Sequence, residues 1–162
     1  MAGNEDRDER LQRETMELLN ELRVILPGVQ VLLAFLLTAP FNQRFNAISP
    51  PERATYFVAL LATAAATAFL IAPSTYHRIR FRDSDREHML KVANALTLVG
   101  TMFLAVGIVT AIALVTSVLY DNGLTVMVAS SVAVLFLWLW YGMPSLRKLR
   151  GDRRAAQAGE TS

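Results

Sequence analysis

The chain contains no cysteine. That excludes disulfides, thiolate nucleophiles and thiolate-bound metals. Its two histidines, His77 and His88, stand eleven residues apart across a capped helix boundary, with no sulfur ligand in the chain, so no metal site is expected. Charge is missing altogether from residues 54–73 and from residues 92–120. A soluble domain of this size would scatter its charges along the chain. No catalytic or nucleotide-binding pattern stands out, so neither an enzyme nor a bound cofactor is expected.

What the chain has is apolar length. Of its 162 residues, 53% are hydrophobic, and the mean hydropathy is positive. Four apolar stretches run over approximately 22–41, 54–73, 92–120 and 124–142. A hydrocarbon core about 30 Å thick takes about 20 helical residues to cross. The expected fold is all-α: an integral membrane four-helix transmembrane bundle over 22–142. A helical extension at 1–21 precedes it, and a basic tail at 143–162, expected to be disordered, follows it. Residues 1–21 are polar and mixed in charge, with Glu5, Asp6, Asp8 and Glu9 among them. A cleavable signal peptide would start basic and turn apolar within a few residues, so the first span is expected to stay in place.

Basic residues set the orientation. The N-terminal segment, the second loop and the tail carry 14 of the 16 Lys and Arg residues. The first loop carries the other two, Arg44 and Arg53. With four spans, the three basic segments share one side, and the positive-inside rule puts both termini in the cytoplasm of a cell (plasma) membrane. Aromatic rings fall near the span ends: Trp138, Trp140 and Tyr141 at the cytoplasmic end of span four, Phe41, Phe45, Tyr56 and Tyr120 toward the opposite face. The isoelectric point near 9.3 gives no reason to expect a nucleic-acid partner, because the charges belong to loops beside a bilayer.

Local signals refine the picture. Leu11, Thr15, Leu18, Leu22, Ile25 and Val29 step by heptad spacing, so residues 8–24 read as a helix entering span one. That seam fits either a second copy or the membrane surface and the second loop. Glu9–Arg13 and Arg13–Glu17 are candidate i,i+4 pairs on the opposite face. Pro27 predicts a kink or local opening. Gln30, one turn on, needs a polar partner and is expected to face another helix. Ser49-Pro50-Pro51-Glu52 and Ser84-Asp85-Arg86-Glu87 both read as capping boxes. Pro73 is expected to end span two. Small residues mark packing faces: Ala59, Thr63 and Thr67, or Ala64, Ala68 and Ala72, on span two, and Ala93, Thr97, Thr101, Ala105, Gly107 and Ala111 on span three. A third helix from Asp85 to Tyr120 would be about 54 Å long, so its first turns project from the membrane. Asp121-Asn122-Gly123 reads as a tight turn. Tyr56 and Asp121 could meet at that face.

Between spans two and three, Arg78, Arg80 and Arg82 alternate with apolar residues. Arg80 and Arg82 are candidate contacts for anionic lipid headgroups, worth about 1 kcal/mol per basic residue near the surface. No ionisable residue lies mid-span, where ion-coupled transporters usually carry one.

Residues Asn20-Glu21-Leu22-Arg23-Val24-Ile25-Leu26-Pro27-Gly28-Val29-Gln30 resemble a motif in an uncharacterised family of small actinobacterial four-span membrane proteins. Pro73-Ser74-Thr75-Tyr76-His77-Arg78 with Phe81-Arg82 resembles that family's second motif. The resemblance covers most of residues 15–145. Some members are called sodium:proton antiporters, a label implying a membrane carboxylate that this chain lacks mid-span. The resemblance implies that Glu21, Arg23, Gln30, His77 and Arg78 belong together as a cytoplasmic-face cluster. The expected function is therefore a structural or regulatory membrane protein, assembled as a homo-oligomer, with that charged surface as its interaction site. The alternative is a small oligomeric ion or solute transporter or channel, its path lined by Gln30 and the threonines of span three.

Overall fold

The computed structural model describes residues 2–79 and 86–142; the side chains of 2–9, 12, 44, 76–79, 86–88 and 141 lie outside that description. The described residues form no strand. Helix α1 spans Ala2–Thr38, α2 Pro50–Ile79, α3 Arg86–Leu119 and α4 Asn122–Phe136. Two short 3-10 turns, Ala39–Phe41 and Gln43–Ala47, join α1 to α2, and a π-helical turn, Leu137–Gly142, extends α4. Four helical segments, Arg13–Phe41, Pro50–Thr75, Met89–Leu119 and Asn122–Trp140, are long and apolar enough to cross a membrane.

The heptad seam on α1 faces inward. Leu22 and Val29 are buried in one cluster with Ala66 and Leu70 of α2 and Leu104 of α3, and Leu18, Ile25 and Leu32 pack against it. One turn further on, Leu36 is buried with Tyr56 and Ala59. The seam thus packs on helices of its own chain from Leu18 onward, rather than on a surface or a second copy. On the exposed side of the extension the ion pair formed is Arg10–Glu14, 3.1 Å, in place of Arg13–Glu17; Glu9 lies outside the described side chains. At 81% and 42% exposure such a pair adds little stability.

Packing between α2 and α3 dominates the fold. Thr63 and Ala66 of α2 are fully buried. A Cβ at Gly107 would lie 2.5 Å from Thr63 Oγ1, and one at Gly100 would lie 2.8 Å from Leu70 Cγ. Both glycines therefore let the two backbones approach to a distance that no larger residue permits. The α3 contact face, Ala93–Gly100–Leu104–Gly107, keeps a seven-residue period rather than following the Ala93–Thr97–Thr101–Ala105 row. Likewise α2 buries Tyr56, Ala59, Thr63, Ala66 and Leu70, spaced three and four apart, rather than Ala64, Ala68 and Ala72. Helices crossing at a shallow left-handed angle keep contact along a 3.5-residue repeat, whereas an every-fourth-residue row drifts off the interface. Phe69 and Phe103 stack across the same pair, centroids 5.5 Å apart.

Helix α4 differs: among the described helices it packs, besides its own π-helical extension, on α3 alone, and it buries none of its residues. Asp121 caps it, its carboxylate accepting from Leu124 N at 2.8 Å. Asn122 and Gly123 belong to its first turn, so the connection from α3 is tighter than the sequence implies. Trp138 and Trp140 are exposed at its far end, Trp140 edge-on to Phe136 at 4.6 Å.

Prolines act less as breaks than expected. The α-helix is continuous through Pro27 and through Pro73. Pro73 therefore does not end α2, which continues to Ile79. A proline removes one N–H, here the donor for the Phe69 carbonyl, and membrane helices tolerate that when neighbours pack around the site; Pro73 is buried. Pro40 has the more specific effect. It stands four residues after Leu36 and leaves that carbonyl without its helical donor. The buried Tyr56 hydroxyl supplies the bond instead, 2.9 Å from α2 to Leu36 O. Tyr56 is thus committed to α1 rather than to Asp121, and Phe45 stacks edge-on against its ring at 4.8 Å. Of the first capping box the glutamate half forms, Glu52 Oε2 accepting from both Ser49 N and Ser49 Oγ at 2.7 Å. The second, at Ser84, lies outside the described residues.

Candidate functional site

The sequence directs attention to two places, the charged ends of α1 and α2 and the polar residues within the spans. Glu21 and Arg23 flank buried Leu22, so both project from α1 and are exposed. Leu22 shares its cluster with Leu70 near the end of α2, so the two charges stand beside that end. His77 and Arg78 belong to the last turns of α2, where a loop was expected. The helical backbone carries both residues onward from the Leu22–Leu70 level, and their side chains lie outside the described set. Arg80 and Arg82 lie outside the described residues. Lys91, on the first turns of α3, is exposed at the same end.

Inside the spans the hydroxyls turn back on their own helices. Thr63 Oγ1 donates to Ala59 O at 2.8 Å and Thr67 Oγ1 to Thr63 O at 2.9 Å. On α3, Thr97 donates to Ala93 O, Thr101 to Leu98 O and Thr110 to Val106 O. Thr116, Ser117 and Ser131 do the same to carbonyls three or four residues back. A hydroxyl bonded this way presents its methyl or methylene outward and suits an apolar surround. No described buried side-chain polar atom lacks a hydrogen-bond partner. No group of three or more His, Cys, Asp or Glu among the described residues could hold a metal ion.

Gln30 departs from expectation. It follows buried Val29 on α1 but is itself exposed, on the flank of the helix about 100° from that seam. It forms no hydrogen bond to a described residue. The expected cluster is therefore divided: Glu21 and Arg23 stand at the membrane end, whereas Gln30 lies about 10 Å further in at 1.5 Å per residue from Arg23. The contacts that sequence reasoning missed are Gly100 on Leu70 and Tyr56 on Leu36. Pro40, four residues after Leu36, is the signal for the second.

Residues 4–144 match a family of unknown function, DUF6328. The chain belongs to that family. Its four membrane-length helical segments, Arg13 to Trp140, fall wholly within the matched region. The match also takes in both segments that drew the resemblance, the one ending at Gln30 and the one beginning at Pro73. Comparisons with curated proteins and with solved structures give no match. Membership of DUF6328 therefore carries no activity to this chain.

Proposed function

We propose that this chain is a structural or regulatory protein of the plasma membrane, with both termini in the cytoplasm, acting through its charged cytoplasmic end and without catalysis of its own. The state of the span hydroxyls carries the reading. Threonines of α2 and α3 that could have lined a path are bonded to their own carbonyls, and Gly100 and Gly107 close the α2–α3 seam. The charge distribution supports the orientation, with 14 of 16 basic residues on the side of both termini. At that end Glu21, Arg23, His77 and Arg78 form the surface offered to a partner, and Arg80 and Arg82 meet anionic lipid headgroups.

Single cysteines test it on a background with none. Cysteines at Thr97, Thr101 and Ala105 are expected to resist a water-soluble thiol reagent in intact membranes, while one at Ser49 reacts from outside. Labelling along α3 would transfer the reading to a transporter. Exchanging the charges of Glu21 and Arg78 tests the surface: single changes that weaken partner or lipid binding should be partly restored in the double change. Equal effects in all three variants would mean the two residues are not coupled.

A further inference from the structure

The outward face of α1 carries a second regular row. Arg23, Pro27, Gln30, Ala34 and Leu37 step by four, three, four and three, and all five are exposed. The row lies about 120° around the helix from the buried Leu22–Val29–Leu36 seam at 100° per residue. Most of it is what lipid would meet. Gln30 is not. Its amide lies about 10 Å beyond Arg23 toward the middle of the span, and its side chain is too short to reach back to water. Hydrocarbon offers neither a donor nor an acceptor, so an amide there calls for a partner.

We propose that this row is an interface between two copies of the chain, related by a two-fold axis along the membrane normal, with Gln30 bonded to Gln30 of the partner subunit. The amide itself selects the occupant. It carries both a donor and an acceptor, and an identical helix inserted in the same direction brings the complementary pair to the same depth. Any other occupant would need its own polar group at that depth. Ala34, one turn on, keeps the row low so that the helices approach closely. Arg23, at the membrane end, has the reach to turn its guanidinium toward lipid phosphates and away from its counterpart. The interface uses none of the residues that hold the monomer together, and it shares only Arg23, at its membrane end, with the cytoplasmic surface proposed above.

The test uses the full chain, fluorescently labelled, in liposomes of phosphatidylcholine and phosphatidylglycerol, with dimer fraction read by single-molecule photobleaching across protein densities. Wild type is expected to dimerise. Gln30→Leu is expected to weaken dimerisation about threefold to twentyfold, and Gln30→Asn to keep part of it. Because Gln30 is exposed, Gln30→Leu should leave helix content and thermal stability unchanged, which separates a lost interface from a lost fold. Oxidative cross-linking of single cysteines supplies the direction: Ala34→Cys and Leu37→Cys should link, while Val31→Cys and Phe35→Cys should not. A monomer at every density overturns the proposal. So does a dimer indifferent to Gln30→Leu, or one that cross-links through Val126→Cys on α4 instead. Reaction of Gln30→Cys with a water-soluble reagent would also overturn it, since water would then satisfy the amide.

Discussion

The α2–α3 pair and α4 are made of similarly apolar sequence but lead opposite structural lives. Along α2, Tyr56, Ala59, Thr63, Ala66 and Leu70 are buried, and α3 presses Gly100 and Gly107 against them. Along α4 nothing is buried; Val126, Met127, Val134 and Leu135 are all exposed. In water a helix as apolar as α4 would be driven inside. In lipid it gains nothing by burial, because acyl chains are as apolar as leucine. What separates the two is where the smallest residues fall. Glycine, alanine and threonine at heptad spacing let α2 and α3 come close enough for dispersion contacts to accumulate. The only glycines of α4 and its π-helical extension, Gly123 and Gly142, sit at the two ends.

The contrast is broken most sharply at Gly107. Gly107→Val forces two methyls into the space held by Thr63 Oγ1 and is expected to destabilise the chain by about 3 kcal/mol. The equivalent change on α4, Ala129→Val, should cost less than about 0.5 kcal/mol. Reversible unfolding in mixed micelles with added SDS measures both, and similar values would erase the distinction drawn here. Leu70→Ala comes next. It empties a fully buried site and should cost about 2–3 kcal/mol, whereas the exposed Val126→Ala should be near neutral in the same assay. Tyr56→Phe sharpens the comparison through one bond. It leaves the Leu36 carbonyl without a donor and is expected to cost about 1–2 kcal/mol. Pro40→Ala restores a backbone N–H to that carbonyl, so Tyr56→Phe should cost measurably less in a Pro40→Ala background. Equal costs in the two backgrounds would sever the link between the proline and the tyrosine. The smallest effect belongs to the periphery. Asp121→Ala removes the α4 cap and should cost about 1 kcal/mol, read locally as faster amide hydrogen exchange at Leu124 and Thr125, with protection of Ala66 and Leu104 unchanged.

How far the sequence could be read follows the same physics. The spans, the Ser49–Glu52 cap, the Asp121 connection and the heptad seam of α1 were all legible, since each depends on neighbours within a turn or two. Small residues were also legible as the packing elements, but the rows chosen on α2 and α3 were partly wrong. A row every four residues and one every three and a half share members at Ala59, Thr63 and Ala93, then diverge; the crossing of the two helices decides between them. The candidate site was legible only as an inventory. Glu21, Arg23 and Gln30 were recognised as a motif, but its division into a membrane-end pair and an outward-facing amide depends on which side of α1 its neighbours cover.

By itself, then, the sequence determined membrane residence and the number of membrane-length helices, because hydrocarbon thickness and backbone hydrogen bonding leave a twenty-residue apolar helix one way to be stable. Only the tertiary structure decided which of four apolar helices is central. It also decided that a proline in one helix is answered by a tyrosine in the next, and that Gln30 looks outward. These are matters of contact between distant parts of the chain. In lipid, contact is governed by shape and unsatisfied hydrogen bonds rather than by the hydropathy that made the helices visible.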